Sequence, residues 1–150
     1  MTMNGGEGSG VTVDVSAWQH VGSTDNAEFY VVDPHLLAVV PHDNCTDDAR
    51  TARQSLAFQT AHWKKAGHQG AAAIFMDPVL VQESGARDVY TDETHSILTT
   101  CFALVGETFF GRAAAAVFTG LAKPGIPTMM FRTLDDARPW IAEMNRARGV

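Results

Sequence analysis

The sequence predicts an α/β protein, with four helices packed against a single mixed, partly parallel sheet of about five to six strands. Three observations predict this class. Short apolar runs alternate with amphipathic segments, a turn signal separates two early apolar runs, and the length of 150 residues is close to that of one domain. We therefore expect residues 11–150 to form a single domain and the Gly-rich residues 1–10 to be a disordered tail.

The first part of the domain predicts strands and a hairpin. In residues 11–15 valine alternates with polar residues, which is the period of a half-buried strand, and residues 22–26 form a polar break. Two apolar runs follow, at 29–32 and 36–40. The Asp-Pro-His sequence at 33–35 is a turn signal, so the two runs are expected to pair as an antiparallel hairpin.

The first helix has clear signals at both ends. Thr46 is expected to cap its free N–H groups, with Asp47 and Asp48 at the positive end of the helix dipole. Apolar residues then recur at helical spacing, and Gly67 is expected to end the helix.

The rest of the chain alternates strands with three more helices. Ser84 is expected to cap a helix over 85–99, an Ala-rich helix is expected over 109–122, and Thr133 imitates a capping box at the start of the last helix. Pro139 should bend that last helix, because proline removes a backbone hydrogen bond. Between the helices, the apolar runs 71–76 and 101–105 predict buried strands and 128–131 predicts a last strand, and we expect the three to lie side by side as the middle of the sheet.

Charge and composition exclude several classes of protein. The formal net charge is −6, so nucleic acid is not an expected partner. No apolar stretch reaches the ~18 residues of a membrane span, and the first residues lack the features of a secretion signal. Cys45 and Cys101 have no CxxC spacing, which argues against a disulfide framework or a zinc site and fits a cytoplasmic location.

A series of residues in the C-terminal half is similar to a known family. The series resembles the end of STAS/CRAL-TRIO-like domains in small bacterial proteins. The resemblance covers residues 28–143 and is most specific over 112–131. It implies the STAS-like fold of anti-sigma-factor antagonists, and since the family has no established general activity, it implies no reaction. Residues 11–26 and Pro139 depart from the family pattern. The residues that carry the resemblance are Val105, Gly106, Arg112, Phe118, Gly120, Leu121, Lys123, Pro124, Pro127, Thr128, Phe131, Ala137 and Trp140.

Three residues are candidates for acid–base or anion-binding chemistry. Asp77 ends a central strand, at the edge where open α/β sheets place ligand-binding residues, and Tyr90 follows it. Arg112 lies near a helix start, where it could bind an anion. The structural alternatives are a turn-forming aspartate before proline for Asp77 and a carboxylate partner, within a dimer, for Arg112.

Ser84 is a candidate phosphorylation switch. In the antagonists that the sequence resembles, a serine at the start of the helix after a central strand is phosphorylated, and such a position favours a phosphate. The sequence lacks the Asp-Ser-Ser/Thr-Gly context of those proteins. A simple helix cap is the alternative.

The sequence contains candidates for a ligand pocket but no metal-binding motif. The candidates for lining an apolar pocket are Arg87, Phe109, Phe110 and Met129, and the alternative for the apolar ones is core packing. The six histidines form no HxH, HxxH or HExxH motif, so no metal is expected. A nucleophile pair from Cys45 and His42 is a further alternative.

Two functions follow from these observations. The first is a non-catalytic regulatory module that binds a protein partner, with a homodimer expected. The alternative is a protein that binds a small apolar ligand, or a small enzyme, with a pocket at the carboxyl ends of the central strands. Since the sequence has no G-x-S-x-G, Walker A or G-x-G-x-x-G motif, no cofactor is expected and catalysis stays open.

Overall fold

One mixed sheet with helices on both faces forms the centre of the molecule. The structure is a computed structural model that describes residues 13–94, 97–108, 111–113 and 125–150. Residues 111–113 are helical. The elements are β1 (Gln19–Ser23), β2 (Ala27–Asp33), β3 (Leu36–Pro41), β4 (Cys45–Asp47), α1 (Ala49–Ala66), β5 (Gly70–Phe75), β6 (Val79–Gln82), α2 (Ser84–Asp92), β7 (Thr99–Val105), β8 (Thr128–Phe131) and α3 (Leu134–Ala147).

The large sheet has six strands in the order β1-β2-β3-β5-β7-β8. The first three strands are antiparallel neighbours, and β3, β5, β7 and β8 are parallel. The predicted α/β class is therefore confirmed, as are the hairpin and the side-by-side arrangement of the three later apolar runs, but β8 lies at the edge of the sheet and not in its middle. Among the described residues, no helix is both long and apolar enough to cross a membrane.

The two faces of the sheet hold separate apolar cores, because successive strand residues point to opposite sides. In β5, Ala72 packs towards α1 and α2, whereas Ala71, Ala73 and Phe75 pack towards α3. The small side chains let the helices approach closely. Gly70 is required at the start of β5, since a Cβ there would overlap the indole of the fully buried Trp63.

A second, two-stranded sheet was not predicted. Its strands β4 and β6 are parallel, and Cys45 lies opposite Val79 in their register. Two backbone bonds extend the pairing: Asn44 N donates to Pro78 O at 2.8 Å, and Glu83 N donates to Asp47 O at 2.8 Å. This small sheet holds the segment before α1 against the segment before α2.

The start of α1 differs from the prediction by two residues. Asp48 is the cap, and its carboxylate accepts from Thr51 N at 2.9 Å while the Thr51 hydroxyl accepts from Asp48 N at 2.8 Å. Thr46 cannot cap because its backbone is part of β4. The predicted end is confirmed, with Gly67 in the left-handed conformation at φ 81°.

The second helix is shorter than predicted. It ends at Asp92 instead of continuing to residue 99, and Ser84 is its first helical residue instead of its cap. Beyond the helix, the Thr94 hydroxyl donates to Tyr90 O and accepts from Gly125 N, each at 2.6 Å. Threonine side chains that bond the backbone in this way favour helix ends, and β7 begins soon after, at Thr99.

The predicted first strand is also displaced. Residues 13–15 are not a strand, and β1 begins only at Gln19, inside what was expected to be a connection. Val13 and Trp18 instead pack against the core on the α3 side, with the Trp18 ring 5.8 Å from that of Phe75. Burial against the sheet face therefore accounts for the apolar character of Val13. Residues 1–12, which include the predicted tail, lie outside the described residues.

The last helix follows its prediction at the start. Thr133 Oγ1 accepts from Asp136 N at 3.1 Å, and Trp140 packs against Phe131 of β8 with ring centres 5.5 Å apart. The helix continues through Pro139 to Ala147. Most of the helix predicted over 109–122 lies outside the described residues.

Candidate functional site

A small cavity lies where the carboxyl ends of β3, β5 and β7 meet the sheet of β4 and β6. The centres of water-sized molecules can occupy about 40 Å³ of it, which is room for a few waters. This is the edge at which open α/β sheets hold their ligands. The lining residues are Asn26, Ala27, Val39, Pro41, Cys45, Asp47, Ser55, Ile74, Met76, Val79, Gln82, Tyr90 and Leu104.

The cavity has apolar walls and one polar end. The walls come mainly from the strands of the large sheet, with Val39, Ile74 and Leu104 as their centre. The polar end is formed by Asp47 of β4 and Gln82 of β6, which face each other across the small sheet, and by Tyr90 of α2. An apolar space with a few converging polar groups is the usual form of a small-molecule site.

Asp47 is the centre of the polar end. Its Oδ1 accepts from the Thr51 hydroxyl at 2.7 Å, and its Oδ2 accepts from the Tyr90 hydroxyl at 3.1 Å and from Gln82 Nε2 at 3.4 Å. Partial burial raises the pKa of Asp47, and these hydrogen bonds oppose the rise. Asp47 thus joins β4 to α1, β6 and α2 through its two carboxylate oxygens.

Tyr90 is a proton donor at this site. Its side chain is 6% exposed, and its ring packs edge-on against Phe102 at 6.0 Å. Burial, followed by the charge of Asp47, raises the pKa of Tyr90 well above its ordinary value. The hydroxyl therefore stays protonated at neutral pH.

Gln82 presents an acceptor that is not used within the protein. Its Oε1 is buried and has no hydrogen-bond partner among the described residues. The Nε2 of the same amide is directed to Asp47. Since nearly all buried polar groups in proteins are hydrogen-bonded, a buried acceptor without a partner, on a side chain that lines a cavity, favours a donor from a bound molecule or water, which would reach it after a small movement of the Gln82 side chain.

The Cys45 thiol lines the cavity but is not an activated nucleophile. Burial raises its pKa to about 11, with smaller contributions from the charges of Asp47 and Asp43. The imidazole of His42 does not serve as its base, because His42 Nε2 lies 2.7 Å from Glu28 Oε2. The alternative of a Cys45–His42 pair therefore finds no support in the geometry.

Asp77 lies next to the cavity without lining it. Its carboxylate accepts from Glu107 N at 3.1 Å, from Thr108 N at 2.8 Å and from the Thr108 hydroxyl at 2.5 Å. Gly111 N in turn donates to the Thr108 hydroxyl oxygen at 2.9 Å, and a Cβ on Gly111 would overlap the Asp77 carboxylate. Asp77 thus ties the segment after β5 to the segment after β7.

The two candidate arginines bind backbone carbonyls. Arg112 Nη1 donates to Glu107 O at 2.6 Å, and Arg87 Nη1 donates to Gln82 O at 2.7 Å. Neither side chain lines the cavity. Of the candidates for acid–base, anion-binding, switch or pocket roles that the structure describes, only Tyr90 lies at the cavity wall, together with the Cys45 of the proposed nucleophile pair.

The remaining candidates lie on the surface or outside the described residues. Ser84 is exposed at the start of α2, so its phosphorylation stays a prediction. Met129 is exposed on β8, so it is neither a core residue nor part of this cavity. Phe109 and Phe110 lie outside the described residues. Within the described part of the chain, no group of three His, Cys, Asp or Glu side chains could hold a metal ion.

Sequence reasoning missed Asp47 and Gln82. Asp47 was assigned to the first turn of α1, and nothing in an Asp-Asp pair before a helix shows which carboxylate faces inwards. For Gln82 a signal did exist, since Val79–Gln82 is a short run rich in β-branched residues after an Asp-Pro turn.

Comparison with known proteins finds no match to a family model, to a curated protein or to a solved structure. The class that fold and site define is thus an α/β domain with a small, partly polar cavity at the carboxyl edge of its sheet.

Proposed function

We propose that this protein is a non-catalytic binding module that holds a small molecule in the cavity at the carboxyl ends of β3, β5 and β7. The open acceptor Gln82 Oε1, beside the Asp47–Tyr90 pair, is the observation that carries the proposal. A molecule with an apolar body and one donor group would satisfy that acceptor and exclude water from the walls.

The cavity limits the size and the affinity of the ligand. A space of about 40 Å³ for water-sized centres admits a molecule of only about four non-hydrogen atoms without movement of the walls. Because the best small ligands gain about 1.5 kcal/mol per such atom, about 6 kcal/mol in all, the dissociation constant is expected to be no lower than about 40 µM. Weak, reversible binding suits a sensor or carrier of an abundant molecule.

Binding is favoured over catalysis by the state of the lining groups. The Cys45 thiol and the Tyr90 hydroxyl both keep their protons at neutral pH, because burial raises the pKa of each. Asp47 is held by three donors. The described lining therefore offers no nucleophile with an adjacent base, which acyl transfer or hydrolysis would need.

Filling the cavity tests the proposal. Val79 lines the cavity, whereas Val81 of the same strand is exposed, so Val79→Phe and Val81→Phe are a matched pair. Amide shifts of the lining residues are followed by NMR while fragments of a few non-hydrogen atoms are added. We expect fragments to shift these signals in the wild type and in Val81→Phe, and not in Val79→Phe. If no fragment shifts them, or if Val79→Phe binds as well as the wild type, the proposal is wrong.

A second candidate function is self-association through β8, for which the two edges of the sheet supply the observation. The β1 edge is irregular, with a register shift between His20 and Gly22. The β8 edge pairs with β7 without a shift, no other described strand pairs with it, and Met129 and Met130 are 46% and 41% exposed. Although β8 is short, its edge has neither the charged side chains nor the bulge that usually protect an edge against pairing, and we propose a second copy of this chain as its partner.

A charge placed on the edge tests this second candidate. Met129→Lys is compared with Val81→Lys, since both wild-type side chains are 46% exposed but Val81 belongs to the other sheet. Light scattering after size exclusion should show a dimer for the wild type and for Val81→Lys and a monomer for Met129→Lys. A wild-type protein that is monomeric at about 100 µM, well above a typical dimer dissociation constant, would contradict the candidate.

A further inference from the structure

We infer that the cavity selects a short-chain primary ammonium ion over neutral and anionic molecules of the same shape. This inference rests on the proposed binding function and names the class of ligand. Three features of the described residues support it. The lining is negatively charged, its polar end has an unpartnered acceptor, and the nearby arginines bind other groups.

The lining carries a negative charge without a matching positive one. Asp47 is the only carboxylate in the lining, and no lysine, arginine or histidine is among the described lining residues. A partly buried carboxylate without a counterion attracts a cation more strongly than an exposed carboxylate does, because less water screens it.

The arginines on the neighbouring helices cannot supply that counterion, since each has another partner. Arg50 of α1 pairs with Asp25, and Arg53 of α1 pairs with Glu93 at 2.9 Å. Arg87 of α2 donates to the backbone carbonyl oxygen of Gln82, and its side chain does not line the cavity.

In the described part of the chain, the polar end has one unpartnered acceptor, and its amide and phenol donors are already engaged, with Asn26 Nδ2 donating to Thr46 O. Tyr90 and Gln82 Nε2 already donate to Asp47, and Gln82 Oε1 has no partner among the described residues. An ammonium group has three donors and no acceptor, so it can bind Gln82 Oε1 and the Asp47 carboxylate together. A carboxylate ligand would place acceptors against acceptors.

The negative charge of Asp47 also acts on the Cys45 thiol and the Tyr90 hydroxyl. After burial, the charge of Asp47 is the next cause that raises the pKa of the Cys45 thiol and of the Tyr90 hydroxyl. Both effects show a negative potential at the polar end, which disfavours any anion and favours a cation.

Four probes, each of four non-hydrogen atoms, test the selection: propylammonium, 1-propanol, acetamide and acetate. Each is titrated into the wild type, Asp47→Asn and Asp88→Asn, with the amide shifts of the lining residues as the readout. Asp88 is the control because it is exposed on the same helix as Tyr90 and removes the same charge. We expect propylammonium to bind tightest and to lose about tenfold or more in affinity in Asp47→Asn but not in Asp88→Asn.

Gln82→Met gives a second, independent variant, since it keeps the length of the side chain but removes the open acceptor. It should weaken propylammonium binding while the protein keeps its fold, as judged by its thermal unfolding. The ligand class is wrong if 1-propanol or acetamide binds as tightly as propylammonium, or if Asp47→Asn and Asp88→Asn weaken binding equally; the binding function then stands. If none of the four probes moves the lining signals, the binding function itself fails.

Discussion

Two adjacent aspartates show how one residue step changes the role of a side chain. Asp48 faces the open N–H groups of α1 and caps the helix, whereas Asp47 turns into the cavity. Since both precede a helix, their sequence context is nearly the same. The sequence predicts that both carboxylates lie at the positive end of the helix dipole. Which of the two faces inwards is decided only by the pairing of β4 with β6.

Alkylation of Cys45 tests the electrostatics of the site. With a pKa of about 11, Cys45 is expected to react with iodoacetamide at pH 8 about 100-fold more slowly than an unfolded cysteine, because the reactive thiolate is rare. Asp47→Asn should speed the reaction by removing a charge that raises this pKa, and Asp88→Asn should not. Peptide mapping by mass spectrometry measures the rate. A wild-type rate equal to that of the unfolded chain would refute the assignment.

Asp77 is expected to act on stability and not on ligand binding. Asp77→Ala leaves Thr108 N, the Thr108 hydroxyl and Glu107 N without their acceptor, which should lower the free energy of unfolding by about 3 kcal/mol. Asp77→Asn, which keeps an acceptor, should lose less. Urea unfolding measures both variants. An unchanged midpoint in Asp77→Ala would show that these hydrogen bonds do not hold the two segments together.

At the scale of elements, the existence of the helices was predicted better than the residues at which they begin and end. The apolar spacing of α1 and its glycine stop are local signals, so its existence and its end at Gly67 were predicted. Its start was not, because the cap depends on a β4–β6 pairing between segments that are far apart in sequence. The three residues of β4 are too few to show a period.

The capping of α1 gives a direct test, since the predicted and the observed cap lie two residues apart. Asp48→Ala should lower the free energy of unfolding by about 1 kcal/mol, because it removes the carboxylate that accepts from Thr51 N, while the bond from the backbone N–H of residue 48 to the Thr51 hydroxyl remains possible. Thr46→Ala, at an exposed position, should change it by less than about 0.5 kcal/mol. Chemical denaturation of the two variants measures the contrast. Equal losses in both would mean that Asp48 is not the cap.

At the scale of the whole molecule, the pairing of the hairpin strands and the neighbourhood of the three later strands followed from the sequence, but the position of β8 at the edge did not. An Asp-Pro turn between apolar runs predicts neighbouring antiparallel strands, and strand–helix alternation predicts parallel ones. The residues that line the cavity could not be predicted from the sequence. Its polar end joins three elements, β4, β6 and α2, whose contacts depend on the tertiary fold. The predicted N-terminal strand was wrong because alternation of valine with polar residues does not show whether a segment pairs with another strand or only packs against the sheet.

The response of the molecule to acid is expected to depend on Glu28. Hydrogen bonds from Ser23 and then His42 lower the pKa of Glu28 from 4.5 to about 2. A lowered pKa in the folded state contributes stability above pH 4.5 that is lost as the pH falls towards 2. Glu28→Gln should therefore unfold at a lower temperature than the wild type at pH 5, with a difference that closes near pH 2. A difference that does not change with pH would contradict this linkage.

The weak termini of α2 determine how a ligand can reach a cavity of this size. The helix has nine residues, no side chain bonds its first N–H groups, and it has no acidic residue in its first turn and no basic residue in its last. Such a helix opens at low free energy, and amide hydrogen exchange should be faster along it than along the capped α1. Because Tyr90 moves with α2, brief unwinding of this one helix would uncover the polar end, so the rate of ligand entry should follow the exchange rate of these amides.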